Sequence, residues 1–237
     1  MQKPRYNFYP TLLDAFKYYQ GSEAEGARQS LLNKINRIPE LDPDALYRMG
    51  KGTALNNLID AMLTGKATTC TTPIIIWEGF EFKSNVVMEL YNRLQGALTQ
   101  QFTAAEIETD MGMVRLYGYM DYILAEKVID LKTTKAYTLG KYRDSVQRHL
   151  YPFCLALNGC RMESFEFLVT DGTDVFSESY PCDLRESEME LREVCDGMIR
   201  FIEAERDNIT DTKVFGLDTP SIFTAQHDAS VGAVVVE

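Results

Sequence analysis

The chain has 237 residues and a formal net charge of −11, from 24 Lys and Arg against 35 Asp and Glu. Apolar residues at 45 % and charged residues at 25 % exclude disordered, collagen-like and coiled-coil classes, and the length suits one large domain or two small ones. An anionic chain is a poor partner for phosphates, but the acidity is local: residues 161–237 carry 18 Asp and Glu against 6 Lys and Arg, which leaves residues 1–160 with 17 against 18.

In chain order, residues 9–19 and 22–36 place apolar side chains at three-to-four spacing and predict helices. A third helix is predicted over 42–64, starting at Asp42-Pro43, with Gly50 and Gly52 as places where it would break. Gly50-Lys51-Gly52-Thr53 lacks the spacing and the preceding strand of a phosphate loop. The β-branched run 71–77 reads as a strand or a buried link, and 82–99 as a further helix. From 106 the pattern changes to alternation. Residues 106–110 and 114–124 predict strands, and 125–135 follows with almost no gap. A helix is expected over 138–159, with Thr138 as its N-cap and Asn158-Gly159 as its stop. Strands at 165–170 and 174–180, joined at Asp171-Gly172, precede a charged amphipathic helix over 184–206. The polar tail 207–237 ends in the apolar Val234–Val236, a candidate edge strand.

This order predicts an α/β fold bordering on α+β, with one central mixed β-sheet flanked by helices. A single domain is expected over 1–206, with a helical N-terminal part (1–99), a core (48–180) and the acidic helix. The five cysteines, Cys70, Cys154, Cys160, Cys182 and Cys195, form no CxxC, the N-terminus lacks the apolar core of a signal peptide, and no run reaches the ~18 apolar residues of a membrane span. Free thiols and a cytoplasmic location are the expectation. With only His149 and His227, a His-rich zinc site is excluded.

Chemistry concentrates in residues 118–135. Side chains of a strand alternate faces, so Asp130 and Lys132 point one way and Ile129 and Leu131 the other. In the preceding strand Asp121 shares a face with Tyr117 and Tyr119, while Val114, Leu116 and Met120 take the core face. A two-residue loop at Ala125-Glu126 would set Leu124 opposite Lys127 and Asp121 opposite Asp130; Ala-Glu is not a favoured hairpin turn, which leaves open a register slipped to a diagonal neighbour, where only a bulge would preserve the facing. Facing aspartates repel unless something neutralises them, and a hard divalent cation such as Mg²⁺ or Mn²⁺ suits oxygen ligands of this kind. Lys132, one pleat beyond, would orient a water or stabilise charge in a phosphoryl transition state.

Gly118-Tyr-Met-Asp121 followed by Val128-Ile-Asp130-Leu-Lys132-Thr resembles the central pattern of the PD-(D/E)xK nuclease superfamily. Gln147-Arg-His-Leu-Tyr151 is similar to the Q-x-x-x-Y motif of its RecB-like exonuclease branch, and i, i+4 spacing projects Gln147 and Tyr151 together, with Arg143 one turn earlier. The resemblance covers roughly residues 48–170. It implies a restriction-endonuclease-like core and a metal-dependent DNA exonuclease, cytoplasmic and serving recombination or repair. Asp121, Asp130 and Lys132 would be catalytic. Asp121, Asp130, the Leu131 carbonyl, Asn56 and Glu108 (or Glu106) would bind Mg²⁺ or Mn²⁺. Gln147, Tyr151, Arg143 and Lys135 would contact DNA.

Gly52-Thr-Ala-Leu-Asn56 departs from the family's G-x-x-x-H by placing Asn where His binds metal. That departure keeps open a second reading, a catalytically weak or inactive module that binds nucleic acid or a recombination partner through its acidic C-terminal third. Some members of the branch carry an iron–sulfur cluster; the late cysteines here are spaced too openly, and none is expected. Lys127, Lys132, Lys135, Lys141, Arg143 and Arg148 make residues 127–149 basic, and phosphate contacts from such residues are salt-sensitive. No membrane association is expected, and oligomers are known in the family.

Overall fold

The computed structural model describes residues 5–67 and 72–216; Cys70, His227 and the strand expected at Val234–Val236 lie outside the described residues. The elements are β1 (Arg5–Phe8), α1 (Pro10–Gly21), α2 (Ala27–Ile35), α3 (Pro43–Leu63), β2 (Ile74–Trp77), β3 (Phe80–Lys83), α4 (Ser84–Leu94), β4 (Leu98–Thr109), β5 (Gly112–Leu124), β6 (Lys127–Thr133), α5 (Gln147–Leu157), β7 (Ser164–Thr170), β8 (Val175–Pro181) and α6 (Leu184–Ala204). The fold is mixed α/β: a six-stranded sheet carries helices on both faces, and β2 and β3 make a separate two-stranded hairpin. No helix among the described residues is long and apolar enough to cross a membrane.

Alternation along the strands sorts side chains into two cores. On β7, Phe165, Phe167 and Val169 enter a core with Leu13 and Phe16 of α1, Leu150 and Phe153 of α5, and Leu191, Met198 and Ile202 of α6. Leu168 of β7 and Ile129 and Leu131 of β6 enter the opposite core, against Leu55 and Ile59 of α3 and Val87 and Leu90 of α4. Period-two burial on both faces is what a central strand requires.

Several boundaries move from their expected places, each for a local reason. Gly50 and Gly52 do not break α3; Asp42 caps its start by accepting from the Asp44 and Ala45 amides. Residues 5–8, expected within the helical part, form β1, parallel to β5. The helix expected over 82–99 is only α4, because Gly96 turns the chain at φ +82° and β4 begins two residues on. The helix expected over 138–159 begins at Gln147: Gly140 has φ +80°, residues 138–145 make isolated turns, and Thr138 caps nothing in α5. The expected stop at Asn158-Gly159 holds, with Gly159 at φ +83°. The start of the tail is anchored: Val214 is buried in the first core and the Lys213 carbonyl accepts from Asn7 Nδ2.

Candidate active site at a split in the sheet

β5 is thirteen residues long, and its two edges are paired differently. One edge runs along β4 from Leu98 opposite Ile123 to Thr109 opposite Gly112. The other edge is shared: β1 pairs with Met113–Leu116 and β6 with Tyr122–Leu124. Between them, residues 117–121 have no strand partner on that edge. Buried backbone groups need partners, and side chains supply them. Tyr151 Oη donates to the Tyr119 carbonyl at 2.8 Å, and Asp121 Oδ2 accepts from the Leu131 amide at 3.0 Å.

The strand also kinks here. Pairing with β4 lapses at Gln100, which has φ +50° and lies opposite Asp121. Simple alternation puts Met120 and Tyr122 on one face; Met120 enters the α1–α5–α6 core and Tyr122 the α3–α4 core. Asp121 sits at the change of face, so the face expected for it with Tyr117 and Tyr119 ends at this residue.

The hairpin has the expected two-residue loop, with Leu124 opposite Lys127 and Ala125 at φ +52°. Its ladder stops at Tyr122 opposite Ile129, leaving Asp121 and Asp130 as the next opposed positions, at the mouth of the split. Asp130 is buried. Its Oδ1 accepts from Gln147 Nε2 at 2.6 Å and its Oδ2 lies 2.6 Å from Lys132 Nζ, which donates to Gln147 Oε1 at 2.7 Å. The three side chains close a ring. Burial, and then the charge of Asp130, push Asp121 up to about 7, against the Leu131 amide and Lys132. Burial works to lower Lys132, but Asp130, Asp121 and Asp14 outweigh it and hold the ammonium above its ordinary range.

The Q-x-x-x-Y residues are placed otherwise than expected. Gln147 and Tyr151 are both buried and turn inward, Gln147 onto Asp130 and Lys132 and Tyr151 into the split, so neither presents a free polar end to DNA. Glycine at 118 is required by Tyr151: a Cβ there would stand 2.9 Å from the tyrosine ring. Arg143 lies in the turns before α5, not one helical turn ahead of Gln147, and is exposed. Lys135 is exposed and lines a groove of about 690 Å³ with Arg48, Lys51 and Lys83. Of the other basic residues in 127–149, Lys127 is paired with Glu166 and Arg148 with Glu186.

On α3, a Cβ at Gly52 would meet Thr133 Oγ1 at 3.1 Å, so the glycine lets the helix lie close against β6. One turn on, Asn56 Oδ1 accepts from Tyr122 Oη at 3.1 Å. Asp60, a further turn along the same face, is a residue the sequence reading missed. Burial raises it, hydrogen bonds with Tyr122 and Gln100 oppose the rise, and its charge adds to the rise of Asp121. Its Oδ1 is buried without a hydrogen-bond partner. The i+4 spacing from Asn56 was the available signal. Asp14 was also missed: from α1 it accepts from the Val146 amide at 2.6 Å and the Ser145 hydroxyl at 3.0 Å.

The strand pairing takes Glu108 and Glu106 out of the site. Glu108 stands opposite Met113 and Glu106 opposite Arg115. Eight residues separate Met113 from Asp121, roughly 27 Å along a strand.

Among the described residues no three His, Cys, Asp or Glu side chains converge to hold an ion. The Asp121–Asp130 pair would need carbonyl, amide or water oxygens beside it, and such an all-oxygen set suits Mg²⁺ or Mn²⁺. Two opposed carboxylates beside the single ammonium of Lys132 leave an excess of negative charge, and that is the observation that fits a cation there. His149 is buried beside Ser187 and pushed down to about 4 by burial. Cys154, Cys160, Cys182 and Cys195 are free thiols.

No family model and no curated protein matches the chain. Among solved structures it is similar in backbone course to a "Putative exonuclease" from Eubacterium rectale, at 13% identity, TM-score 0.49, covering 92% of each chain. It is also similar to the protein SSO0001, at 13% identity and TM-score 0.46, covering 80% of this chain and 75% of that one.

Proposed function

We propose that this chain is a Mg²⁺- or Mn²⁺-dependent phosphodiesterase acting on DNA, an exonuclease in type, serving recombination or repair. The observation that carries the reading is the opposed Asp121–Asp130 pair with Lys132 at an opening in the sheet; a basic groove begins at Thr133, the next residue of β6. Asp121 and Asp130, with the Leu131 carbonyl and the Asn56 amide, would hold the cation. When bound it would supply charge stabilisation for in-line displacement at phosphorus. Lys132, kept cationic by its carboxylate neighbours, positions the attacking water and stabilises charge on the phosphoryl oxygens. Gln147 holds Asp130 and Lys132 in register and is a positioning residue, as is Tyr151 through the Tyr119 carbonyl. Lys135, Lys51, Lys83 and Arg48 neutralise phosphates along the groove, with exposed Arg143 as a further basic contact.

Purified protein with linear and circular DNA in Mg²⁺, Mn²⁺ or EDTA tests this. Loss of linear DNA alone, abolished by EDTA and by Asp130→Asn, is the expected result; cleavage indifferent to Asp130→Asn would sink the assignment. The second reading, a binding module without catalysis, is favoured by one observation: Asn56 Oδ1 is engaged by Tyr122. It predicts no cleavage and no heat on titration with Mg²⁺ or Mn²⁺.

A further inference from the structure

The outward face of β5 leads to the site. Arg115, Tyr117 and Tyr119 occupy successive outward positions, and Asp121 comes next in the strand at the split. Two exposed aromatic rings meet on this face: Tyr119 is 61% exposed and its cross-strand neighbour Phe102 44% exposed, with ring centroids 5.1 Å apart. Tyr117 packs on Tyr9 at 5.9 Å, and the Arg115 guanidinium lies 5.6 Å above the Tyr117 ring. Arg115 Nε is buried with no hydrogen-bond partner among the described residues; Glu106 is its cross-strand neighbour. Two open hollows, of about 690 and 350 Å³, share Arg37 and Tyr117 and continue to Gly118, Tyr119 and Tyr151 at the split.

We infer that this face is a binding track for a single-stranded polynucleotide, with bases stacked on Tyr119–Phe102 and over the Arg115–Tyr117 pair, phosphates toward Arg115, and the strand led to Asp121. The inference rests on reading the Asp121–Asp130 pair as a phosphodiesterase site. Aromatic rings interleaved with Arg are the sequence-tolerant means of holding single strands. Alternate side chains on a strand are about 6.8 Å apart, twice the ~3.4 Å rise of stacked duplex bases. A stretched single strand can therefore place successive bases on Tyr119 and over the Arg115–Tyr117 pair, whereas a duplex keeps its bases paired and closed to both.

The test is binding of a fluorescein-labelled thymidylate oligonucleotide, its uridylate counterpart and a duplex of equal length to the full chain in EDTA, where no cleavage intervenes. Tyr119→Ala and Phe102→Ala alter exposed rings, and Met189→Ala, exposed on α6, is the control. The expected result is that a single strand, DNA or RNA, binds more tightly than duplex, and that each ring deletion weakens it about fivefold or more while the control does not. A 2-aminopurine base in the strand should be quenched on binding to the wild type and regain emission in Tyr119→Ala. Unchanged single-strand affinity in both ring variants, or equal losses for duplex and single strand, would overturn the track. The two readings fail separately. Metal-dependent cleavage with unaltered binding in the ring variants removes the track alone. Ring-dependent binding without cleavage removes the nuclease reading alone.

Discussion

At the scale of single residues, the site is held by contacts that two motifs make with each other. Gly118 belongs to the strand motif and Tyr151 to the helix motif, and the glycine exists to make room for the tyrosine. Gly118→Ala should cost about 1–3 kcal/mol by overpacking in the wild type and much less in a Tyr151→Ala background, a coupling that chemical denaturation of the double-mutant cycle would measure. Asp121 carries the pH dependence. Its folded-state value, about 7, is above that of an unfolded aspartate, so the folded state binds the extra proton between about 4 and 7. That contribution to stability is complete below pH 4 and is lost as pH rises through 7. In EDTA the melting temperature of the wild type should fall over this window relative to Asp121→Asn, which has nothing to titrate. Mg²⁺ affinity should rise over the same window and level off above it, since a ligating carboxylate must be ionised. Gln147→Leu would leave Asp130 and Lys132 without their shared amide. Cleavage should drop at least tenfold through kcat with KM little changed, because the amide touches the catalytic pair and not the track.

Elements are fixed in place by long-range capping and ion pairing. Just ahead of helix α5, Asp14 of α1 accepts from the Val146 amide and the Ser145 hydroxyl; a hydrogen bond to a charged group is worth about 1.5–3 kcal/mol. Asp14→Ala should lower stability by that amount and also reduce cleavage, since Gln147 is the first residue of the helix. A drop in stability with full activity would show that these hydrogen bonds do not position Gln147. The acidic helix α6 is less of a free anionic face than its composition suggests. Glu190 pairs with Lys17 of α1 and Glu186 with Arg148 of α5, Glu188 pairs within the helix with Arg192, and Asp196 caps the β4–β5 turn through the Met111 amide. Its apolar stripe is core.

Over the whole molecule, charge is arranged so that an anionic protein keeps cationic surface near its site. Arg48, Lys51, Lys83 and Lys135 face Glu81 and Asp171 across one groove, a balance of plus two in a chain of −11. Lys51→Ala/Lys135→Ala should weaken DNA binding uniformly across sequences and reduce the slope of log affinity against log salt by about 2, read by titration at several salt concentrations. An unchanged slope would remove these lysines from the phosphate path.

The sequence by itself determined that two strands meet in a hairpin near residue 125, because alternation is a local property of neighbouring residues; the register that closes the loop at Ala125-Glu126 was decided by the fold. The sequence also determined that α5 stops at Asn158-Gly159, an equally local signal. The course of β5 was decided only in three dimensions. β1 and β6 claim separate stretches of one edge, and the kink at Gln100 turns Tyr122 away from the face of Met120. Neither shows in a pattern of period two. Tertiary structure likewise removed Glu106 and Glu108 and brought in Asp60 and Asp14. Register converts residues far apart in number into neighbours or strangers, and burial then decides which of their charges the fold can tolerate.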